Sequence, residues 1–346
     1  MKTKLKFLDK YLTLWIFLAM VVGLILGYNF PEIKAINTQL SVGTTSIPIA
    51  FGLILMMYPP LAKVDYSLLP NLLKDKKSIG ISLLLNWLIG PVFMFVLAIL
   101  FLRNEPEYMI GLILIGLARC IAMVLVWNDL AGGNKAFAAL LVAINSVFQV
   151  FTYSFYTWVF INFLPQSLGL ASAQINVSLK DVALSVFIYL GIPFILGYLS
   201  RLMLVKTKGE QWFRYHFIPK ISPITLYALL FTIVLMFSLK GDQILDLPQD
   251  VLHIALPMMI YFIVMFLVSF ILGKYAGFEY DKNVSVAFTA TGNNFELAIA
   301  VAIAVFGVES KQAFVGVVGP LIEVPALILL VELSYVLKQK LYKNVS

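Results

Sequence analysis

Two apolar stretches of the sequence contain side chains that could do chemistry. In the first stretch Arg119 is followed by Cys120, and in the second Asn293 and Asn294 precede Glu296. A thiolate is a soft ligand and a nucleophile, whereas a carboxyl group can bind and release a proton. Because ionisable side chains are costly in apolar surroundings, these residues are candidates for a substrate site.

The composition indicates that these residues lie in a membrane. Of the 346 residues, 61% are hydrophobic and 12% are charged, whereas soluble chains are about 25% charged. Recurring apolar runs of about 20 residues favour an all-α polytopic membrane protein over an outer-membrane barrel. The composition therefore excludes soluble enzymes, nucleic-acid-binding proteins and secreted disulfide scaffolds.

Ten segments have the length and apolar character of membrane-spanning helices. Their approximate bounds are 11–28, 46–62, 79–102, 109–127, 136–163, 182–204, 218–239, 251–273, 283–307 and 313–337. The first segment is too long for the apolar region of a cleavable signal peptide. Prolines interrupt the second segment, and polar residues interrupt the fourth and the ninth.

The basic residues predict the orientation of these ten spans. With both termini in the cytoplasm, 19 of the 25 lysines and arginines lie on the cytoplasmic side, 5 lie outside, and Arg119 lies within a span. Cytoplasmic loops of membrane proteins carry such an excess of positive charge. We therefore predict a multi-pass protein of the cell membrane, plasma or inner, with both termini cytoplasmic.

Five spans in each half, with opposite orientations, predict an inverted repeat of residues 1–173 and 174–346. Cys120 stands 15 residues before Lys135, and Glu296 stands 15 residues before Lys311. This match makes Cys120 and Glu296 equivalent positions of the two halves. A register shifted by one residue pairs Arg119 with Glu296 instead, and the sequence leaves both registers open.

The ninth segment is predicted to contain a helix break at residues 291–294. Its sequence there is Thr-Gly-Asn-Asn, in which glycine and asparagine both disfavour a helix interior. A break within the membrane is tolerated only where it faces protein or a water-filled cavity. The break therefore indicates a polar site among the helices.

Structural roles compete with a substrate site for each of these residues. A charged Arg119 near the middle of a span costs about 2.5–3.5 kcal/mol on insertion scales, so Glu296 is its candidate ion-pair partner. The amides of Asn293 and Asn294 could instead hold helices together. A free cysteine such as Cys120 is often only a small buried apolar residue.

A second group of polar residues belongs to the fifth and tenth segments, and these residues are secondary candidates for the same cavity. They are Asn145, Ser146, Gln149 and Glu323. The two histidines are too far apart in sequence for a metal site, and no cofactor is predicted. The chain also lacks a phosphate-binding loop, so it carries no ATPase of its own.

Three motifs closely resemble the arsenite efflux permeases of the arsenical-resistance-3 family, in the bile acid, arsenite and riboflavin transporter superfamily. They are GLARCIAMVLVWN at 116–128, TGNNFE at 291–296 and GPLIEVP at 319–325. The resemblance implies ten helices arranged as a core and a panel domain, with broken helices four and nine crossing near the membrane centre. It also implies that Cys120 and Glu296 match the family's functional cysteine and glutamate.

The function implied is secondary active extrusion of trivalent arsenic (arsenite), with antimonite as a further candidate substrate, in exchange for protons. As(III) is soft and thiophilic, so Cys120 is predicted to bind it and Glu296 to carry the coupling proton. Arg119, Asn293 and Asn294 would stabilise the deprotonated or anionic states. The expected partners are arsenite, protons and membrane lipid, without an obligatory ATPase subunit and without nucleic acid.

The main alternative is a sodium-coupled organic-anion symporter of the bile-acid type, with Na⁺ held by Asn294 and Glu296. Arg119 repels a sodium ion and Cys120 is a poor ligand for it, so we disfavour this alternative. A receptor or scaffold would need an extramembrane domain, but no loop exceeds about 20 residues on the span bounds given above. The chain also shows no catalytic acid pair or histidine cluster, so it is not predicted to be an enzyme.

Overall fold

The chain folds almost entirely into helices. The computed structural model describes residues 12–42, 45–64, 75–170, 177–246 and 248–342. The helices are α1 (Leu12–Asn29), α2 (Glu32–Gln39), α3 (Ile47–Lys63), α4 (Lys76–Leu102), α5 (Pro106–Leu117), α6 (Met123–Leu130), α7 (Lys135–Ser167), α8 (Leu179–Lys208), α9 (Glu210–Lys240, continuing to Asp246), α10 (Pro248–Tyr275), α11 (Tyr280–Thr291), α12 (Phe295–Phe306) and α13 (Lys311–Leu341). Two short antiparallel strands, β1 (Ser41–Val42) and β2 (Thr45–Ser46), precede α3.

Side-chain caps explain where several of these helices begin. The side chains of Asp75, Asn134, Ser178 and Ser310 accept backbone N–H groups at the first turns of α4, α7, α8 and α13. Such residues satisfy N–H groups that have no partner within the helix. The apolar runs that follow are long enough to cross a membrane once they are helical.

The structure confirms an all-helical, multi-pass membrane protein. Within the described ranges, six helices are long and apolar enough to span a membrane, namely α4, α7, α8, α9, α10 and α13. The α1–α2 pair, bent by 98°, makes a seventh if it is counted as one span, and α3, α5 and α12 are shorter apolar helices. Each of the ten predicted segments contains a helix or two half-helices.

Two local features differ from the sequence reading. The second segment contains prolines, but they do not end its helix: α3 continues through Pro59 and Pro60. The first segment is followed, at Pro31, by a sharp turn into the short helix α2. The apolar character of a segment therefore predicts where a helix forms better than it predicts where that helix bends or ends.

The helices pack in two groups that meet beside the broken segments. In one group α9 packs on α1 and α3, and α8 packs on α3. In the other group α4, α7, α10 and α13 surround the half-helices α5, α6, α11 and α12, and α10 packs on both α11 and α13. The first part of α8 contacts α7 and α12, so it links the two groups.

Candidate substrate site

Two helix breaks face each other inside the second group. The first break separates α5 from α6, and the second separates α11 from α12. Arg119 in one break and Asn293 in the other form an isolated antiparallel bridge. The predicted break in the ninth segment is confirmed, and the break in the fourth segment, implied by the family resemblance, is present as well.

Reciprocal backbone hydrogen bonds hold the two breaks together. The N–H of Cys120 donates to the carbonyl of Gly292 at 3.2 Å, and the N–H of Asn294 donates to the carbonyl of Ala118 at 3.0 Å. A break frees polar backbone groups that need partners in an apolar interior. In this protein each break supplies partners for the other.

The bridge also determines how the two halves correspond. Arg119 lies opposite Asn293, and their separation along the chain equals the separation between the first residues of α5 and α11. The two reciprocal backbone bonds are related by the same separation. At the crossing, Cys120 therefore takes the place in its break that Asn294 takes in the other. The two registers predicted from sequence, which matched Cys120 or Arg119 with Glu296, differ from this local correspondence.

Cys120 is buried at the crossing, with 5% of its surface exposed. It stands three residues before Met123, where α6 begins. The opposite wall is Gly292, where an added Cβ would lie 3.1 Å from the Cβ of Cys120 and 3.8 Å from its sulfur. The helix N-terminus carries partial positive charge, which favours electron-rich sulfur.

Arg119 is fully buried and donates to uncharged oxygens. Its Nη1 donates to the hydroxyl of Tyr261 at 2.9 Å and to the carbonyl of Ala290 at 3.3 Å. Its Nη2 donates to the carbonyl of Gly116. Among the described residues no carboxylate forms an ion pair with Arg119, so the candidate pair with Glu296 is not formed in this structure. The guanidinium instead ties α5, α10 and α11 together.

The side chains of the two asparagines form hydrogen bonds that stabilise the crossing. Asn293 donates from Nδ2 to the carbonyls of Ile115 at 2.8 Å and Ala118 at 3.2 Å. The Oδ1 of Asn294 accepts the N–H of Leu297 at 3.0 Å and so caps α12. Each amide has its other polar atom buried without a partner in the described part of the chain. Those two atoms are available to a small polar substrate.

Two carboxyl groups lie beside the thiol. Glu296 is half-buried in the first turn of α12, and Glu323 is buried in α13 with 5% of its surface exposed. Both are close enough to Cys120 to act on it electrostatically, and they also act on each other. Glu323 accepts the N–H of Asn293 at 3.4 Å. The site therefore contains one thiol, one guanidinium and two carboxyl groups.

The three polar candidates of α7 differ in what they contact. Gln149 accepts the backbone N–H of Arg119 and so reaches the crossing. Asn145 instead accepts from the indole of Trp87 at 3.0 Å and donates to Asn86 at 3.1 Å, which joins α7 to α4. The hydroxyl of Ser146 donates to a carbonyl of its own helix at 2.7 Å.

Sequence reasoning missed Tyr261 and the role of Gly292. A tyrosine in an apolar helix has no distinguishing pattern, and its contact with Arg119 arises only because α10 packs against the crossing. Gly292 is interpretable from the sequence as a helix breaker, but its close approach to Cys120 depends on the fold. The signal that could have pointed to Tyr261 is that a buried arginine needs hydrogen-bond acceptors, which a hydroxyl group can supply.

A narrow crevice runs from the crossing to the boundary between the two helix groups. It is lined by Leu53 and Met57 of α3, by Tyr189 and Leu190 of α8, and by Asn294 and Leu297 at the start of α12. The crevice is almost entirely apolar apart from Asn294 and Tyr189. The crevice has no room for a water molecule in this structure, so a small uncharged substrate would enter it only if the two helix groups moved apart.

Broken helices that cross around buried polar groups are typical of membrane transporters of the secondary type. The family model described as "Sodium Bile acid symporter family" matches residues 50–247. An arsenical-resistance protein Acr3 of Corynebacterium glutamicum is 50% identical over 341 residues, which cover 99% of this chain and 92% of that protein. The chain belongs to this family of transporters and, within it, to the arsenical-resistance proteins.

Two further relatives are similar over nearly the whole chain. An arsenical-resistance protein Acr3 of Alkaliphilus metalliredigens is 32% identical over 95% of this chain and 92% of its own length. A protein of Synechocystis, described as an uncharacterized transporter, is 36% identical over 95% of this chain and 88% of its own length. The resemblance to the arsenical-resistance family is therefore confirmed, and the relatives are transporters rather than enzymes.

Proposed function

We propose that this chain extrudes trivalent arsenic from the cytoplasm as arsenite, with the chemically similar antimonite as a second candidate substrate. The observation that carries the proposal is Cys120, the single cysteine of the chain, buried where two broken helices cross. Two relatives that match this chain over at least 95% of its length are arsenical-resistance proteins. A soft thiol at the centre of such a fold suits a soft, thiophilic substrate.

The chemistry of arsenite fits the contacts around Cys120. At neutral pH arsenite is mostly the uncharged trihydroxide, which can enter an apolar crevice without a large desolvation cost. The sulfur displaces one hydroxide from As(III), and that hydroxide leaves with the thiol proton as water. The free amide atoms of Asn293 and Asn294 would bond to the remaining hydroxyl groups. A single As–S bond keeps the exchange reversible, which transport requires.

We assign proton coupling to Glu296, which makes the protein a proton antiporter. Its position supports this role, because the side chain is only half-buried and lies in the first turn of α12, close to Cys120. A carboxyl group there can receive a proton from outside and release it inside as the substrate leaves. Arg119 already donates to neutral oxygens, so no salt bridge with it competes for the proton of Glu296.

The proposed architecture is ten spans in two inverted repeats, residues 1–173 and 174–346. The equal separation along the chain of the two bridge residues and of the starts of α5 and α11 supports it, as do the reciprocal bonds at the crossing. The group of α1, α3, α8 and α9 corresponds to a panel domain, and the group that contains the crossing corresponds to a core domain. Movement of one group against the other would open the crevice alternately to each side.

The proposed location is the cell membrane, with both termini in the cytoplasm. The asymmetry of basic residues supports this orientation, since 19 of the 25 then lie inside. The proposed partners are arsenite, protons and lipid. Transport driven by a proton gradient needs no ATPase subunit.

A sodium-coupled organic-anion symporter is the second candidate, because the matching family model carries that description. Its sodium ion would have to sit beside Arg119 and Cys120. A buried guanidinium repels a cation, and a thiol is a poor ligand for Na⁺. The site therefore favours arsenite.

Transport into everted membrane vesicles tests the proposed function. In everted vesicles, efflux is measured as uptake into the lumen. We expect an imposed proton gradient, acidic inside, to drive arsenite accumulation, and a sodium gradient to have no effect. Accumulation of a bile-acid-type anion with sodium, and none of arsenite, would instead establish the symporter.

A further inference from the structure

Two buried side chains from different helices accept backbone N–H groups at the crossing. Gln149 of α7 accepts the N–H of Arg119 through Oε1, and Glu323 of α13 accepts the N–H of Asn293 through Oε1 at 3.4 Å. Each acceptor follows its donor residue by 30 positions along the chain. Because Arg119 and Asn293 are opposite each other in the bridge, the two acceptors occupy corresponding places in the two halves.

The break between α5 and α6 needs this acceptor from outside. Within the break, the N–H of Arg119 has no helical carbonyl to which it can donate. Both Arg119 and Gln149 are fully buried, so bulk water does not reach this N–H. A buried N–H without an acceptor is strongly unfavourable, and the chain would relieve it by changing the conformation of the break.

This hydrogen bond bears directly on the position of the thiol. The N–H groups of two successive peptides are both bonded, that of Arg119 to Gln149 and that of Cys120 to Gly292. Two fixed N–H groups in succession leave the backbone little freedom, which sets the direction of the Cα–Cβ bond of Cys120. That direction determines where the sulfur lies relative to Gly292 and to the start of α6.

We propose that Gln149 is a positioning residue for Cys120, acting through its acceptor oxygen rather than through contact with the substrate. The inference rests on the proposed function, in which Cys120 binds arsenite. Glu323 performs the same bonding on the other break with a carboxylate oxygen. An oxygen acceptor of either kind therefore suits this geometry, and Gln149→Glu keeps one. Gln149→Met preserves the approximate volume but has no oxygen.

The experiment uses the full-length protein, in which maleimide labels Cys120 as the only thiol. Gln149→Met, Gln149→Glu and the parent are compared, with Thr152→Val as a control on the same helix, where the exposed hydroxyl bonds only its own helix at 2.7 Å. Three quantities are measured: the labelling rate without arsenite, the arsenite concentration that halves this rate, and the KM of arsenite transport in vesicles.

We expect Gln149→Met to change the labelling rate several-fold and to raise the half-protecting arsenite concentration and the KM about tenfold, the effect of losing one buried hydrogen bond. Gln149→Glu should stay within about twofold of the parent in all three, as should Thr152→Val. If Gln149→Met does not fold, Gln149→Asn, whose amide is one methylene short of Arg119, replaces it in the comparison.

Parent-like behaviour of Gln149→Met would overturn the inference. So would a Gln149→Glu variant as impaired as Gln149→Met, because the acceptor oxygen would then not be what matters. The labelling rate needs no arsenite, so it tests the position of Cys120 separately from the proposed function. A parent that neither binds nor transports arsenite refutes that function, while a labelling rate unchanged by Gln149→Met refutes the positioning role.

Discussion

Cys120 and Gly292 touch across the crossing of two broken helices, with the N–H of Cys120 bonded to the carbonyl of Gly292 at 3.2 Å. A Cβ added to Gly292 would lie 3.1 Å from the Cβ of Cys120. That spacing is tighter than ordinary packing. The absence of a side chain at residue 292 therefore allows the thiol-bearing break and the asparagine-bearing break to approach each other.

The first prediction is that Gly292→Ala weakens arsenite binding while the protein still folds. The new methyl group must push the two breaks apart, and overpacking of this kind costs about 1–3 kcal/mol. We expect the arsenite concentration that half-protects Cys120 from maleimide to rise about tenfold. Gly80→Ala is the control, because a Cβ at Gly80 meets nothing within 4 Å. Equal protection in both variants would contradict the prediction.

The second prediction concerns the sulfur itself. Cys120→Ser nearly preserves the side-chain volume but replaces a soft ligand by a hard one. Arsenite resistance of cells and uptake into vesicles should therefore be lost, while expression and thermal stability stay close to those of the parent. If Cys120 were only a small buried apolar residue, the variant would keep full resistance, and arsenite binding would have to be assigned elsewhere.

The third prediction separates substrate binding from coupling at Glu296. Glu296→Gln mimics the protonated carboxyl group and cannot release a proton. It should still show arsenite protection of Cys120 but should not concentrate arsenite in vesicles when a proton gradient is imposed. Glu296→Asp keeps the charge on a shorter side chain and should retain part of the activity.

The matched variant for this test is Glu323→Gln, at the other carboxyl group of the site. An amide at residue 323 retains the oxygen that accepts the N–H of Asn293. If Glu296→Gln still concentrates arsenite in response to the gradient and Glu323→Gln does not, the coupling proton travels on Glu323.

The broken ninth segment was predictable from the sequence, and the broken fourth segment was predictable only from family resemblance. Thr-Gly-Asn-Asn disfavours a helix, so the residues at the break themselves predict it. The residues around Arg119 include alanines and other adequate helix formers. Their break depends on partners far along the chain, namely Gln149, Gly292 and Asn294.

The partner of Arg119 shows a second limit of sequence reasoning. A buried guanidinium needs acceptors, and the nearest carboxylate in the motifs, Glu296, was the natural candidate. Neutral oxygens of Tyr261, Ala290 and Gly116 instead accept from its two terminal nitrogens. Backbone carbonyls freed by helix breaks are invisible in a sequence, although they are strong acceptors. The helical segments themselves were predicted well because each depends on local apolar character.

The fourth prediction tests the orientation. A reporter that is active only outside the cytoplasm should be silent when fused after Lys343 and active when inserted at the junction of α9 and α10, between Asp246 and Pro248. The opposite pattern would invert the topology and with it the direction of proton flow. A second insertion between Lys208 and Glu210, at the junction of α8 and α9, should be silent, because this region carries five of the predicted cytoplasmic basic residues, namely Arg201, Lys206, Lys208, Arg214 and Lys220.

The fifth prediction concerns stability at the start of α4. Asp75 accepts from the ammonium group of Lys282 and from the N–H of Ser78 at 3.1 Å. The hydrogen bond with Lys282 is the largest of the effects that hold the pKa of Asp75 below its ordinary value of 3.8, and burial opposes it. Because the folded pKa is lowered, this contribution to stability is complete above pH 3.8 and is lost as the pH falls through the lowered value.

Asp75→Asn retains the helix cap but removes the charge, so it isolates the ion pair. The pair is partly exposed, with 39% of the Asp75 side chain accessible, and solvent screening limits its effect to less than about 1 kcal/mol. Thermal unfolding in detergent should show a slightly lower Tm for Asp75→Asn at neutral pH. The two Tm values should converge as the pH falls below the lowered pKa of Asp75. Lys282→Met should lose the same pH-dependent increment, and a Tm difference that persists undiminished in acid would show that Asp75 stabilises α4 without its charge.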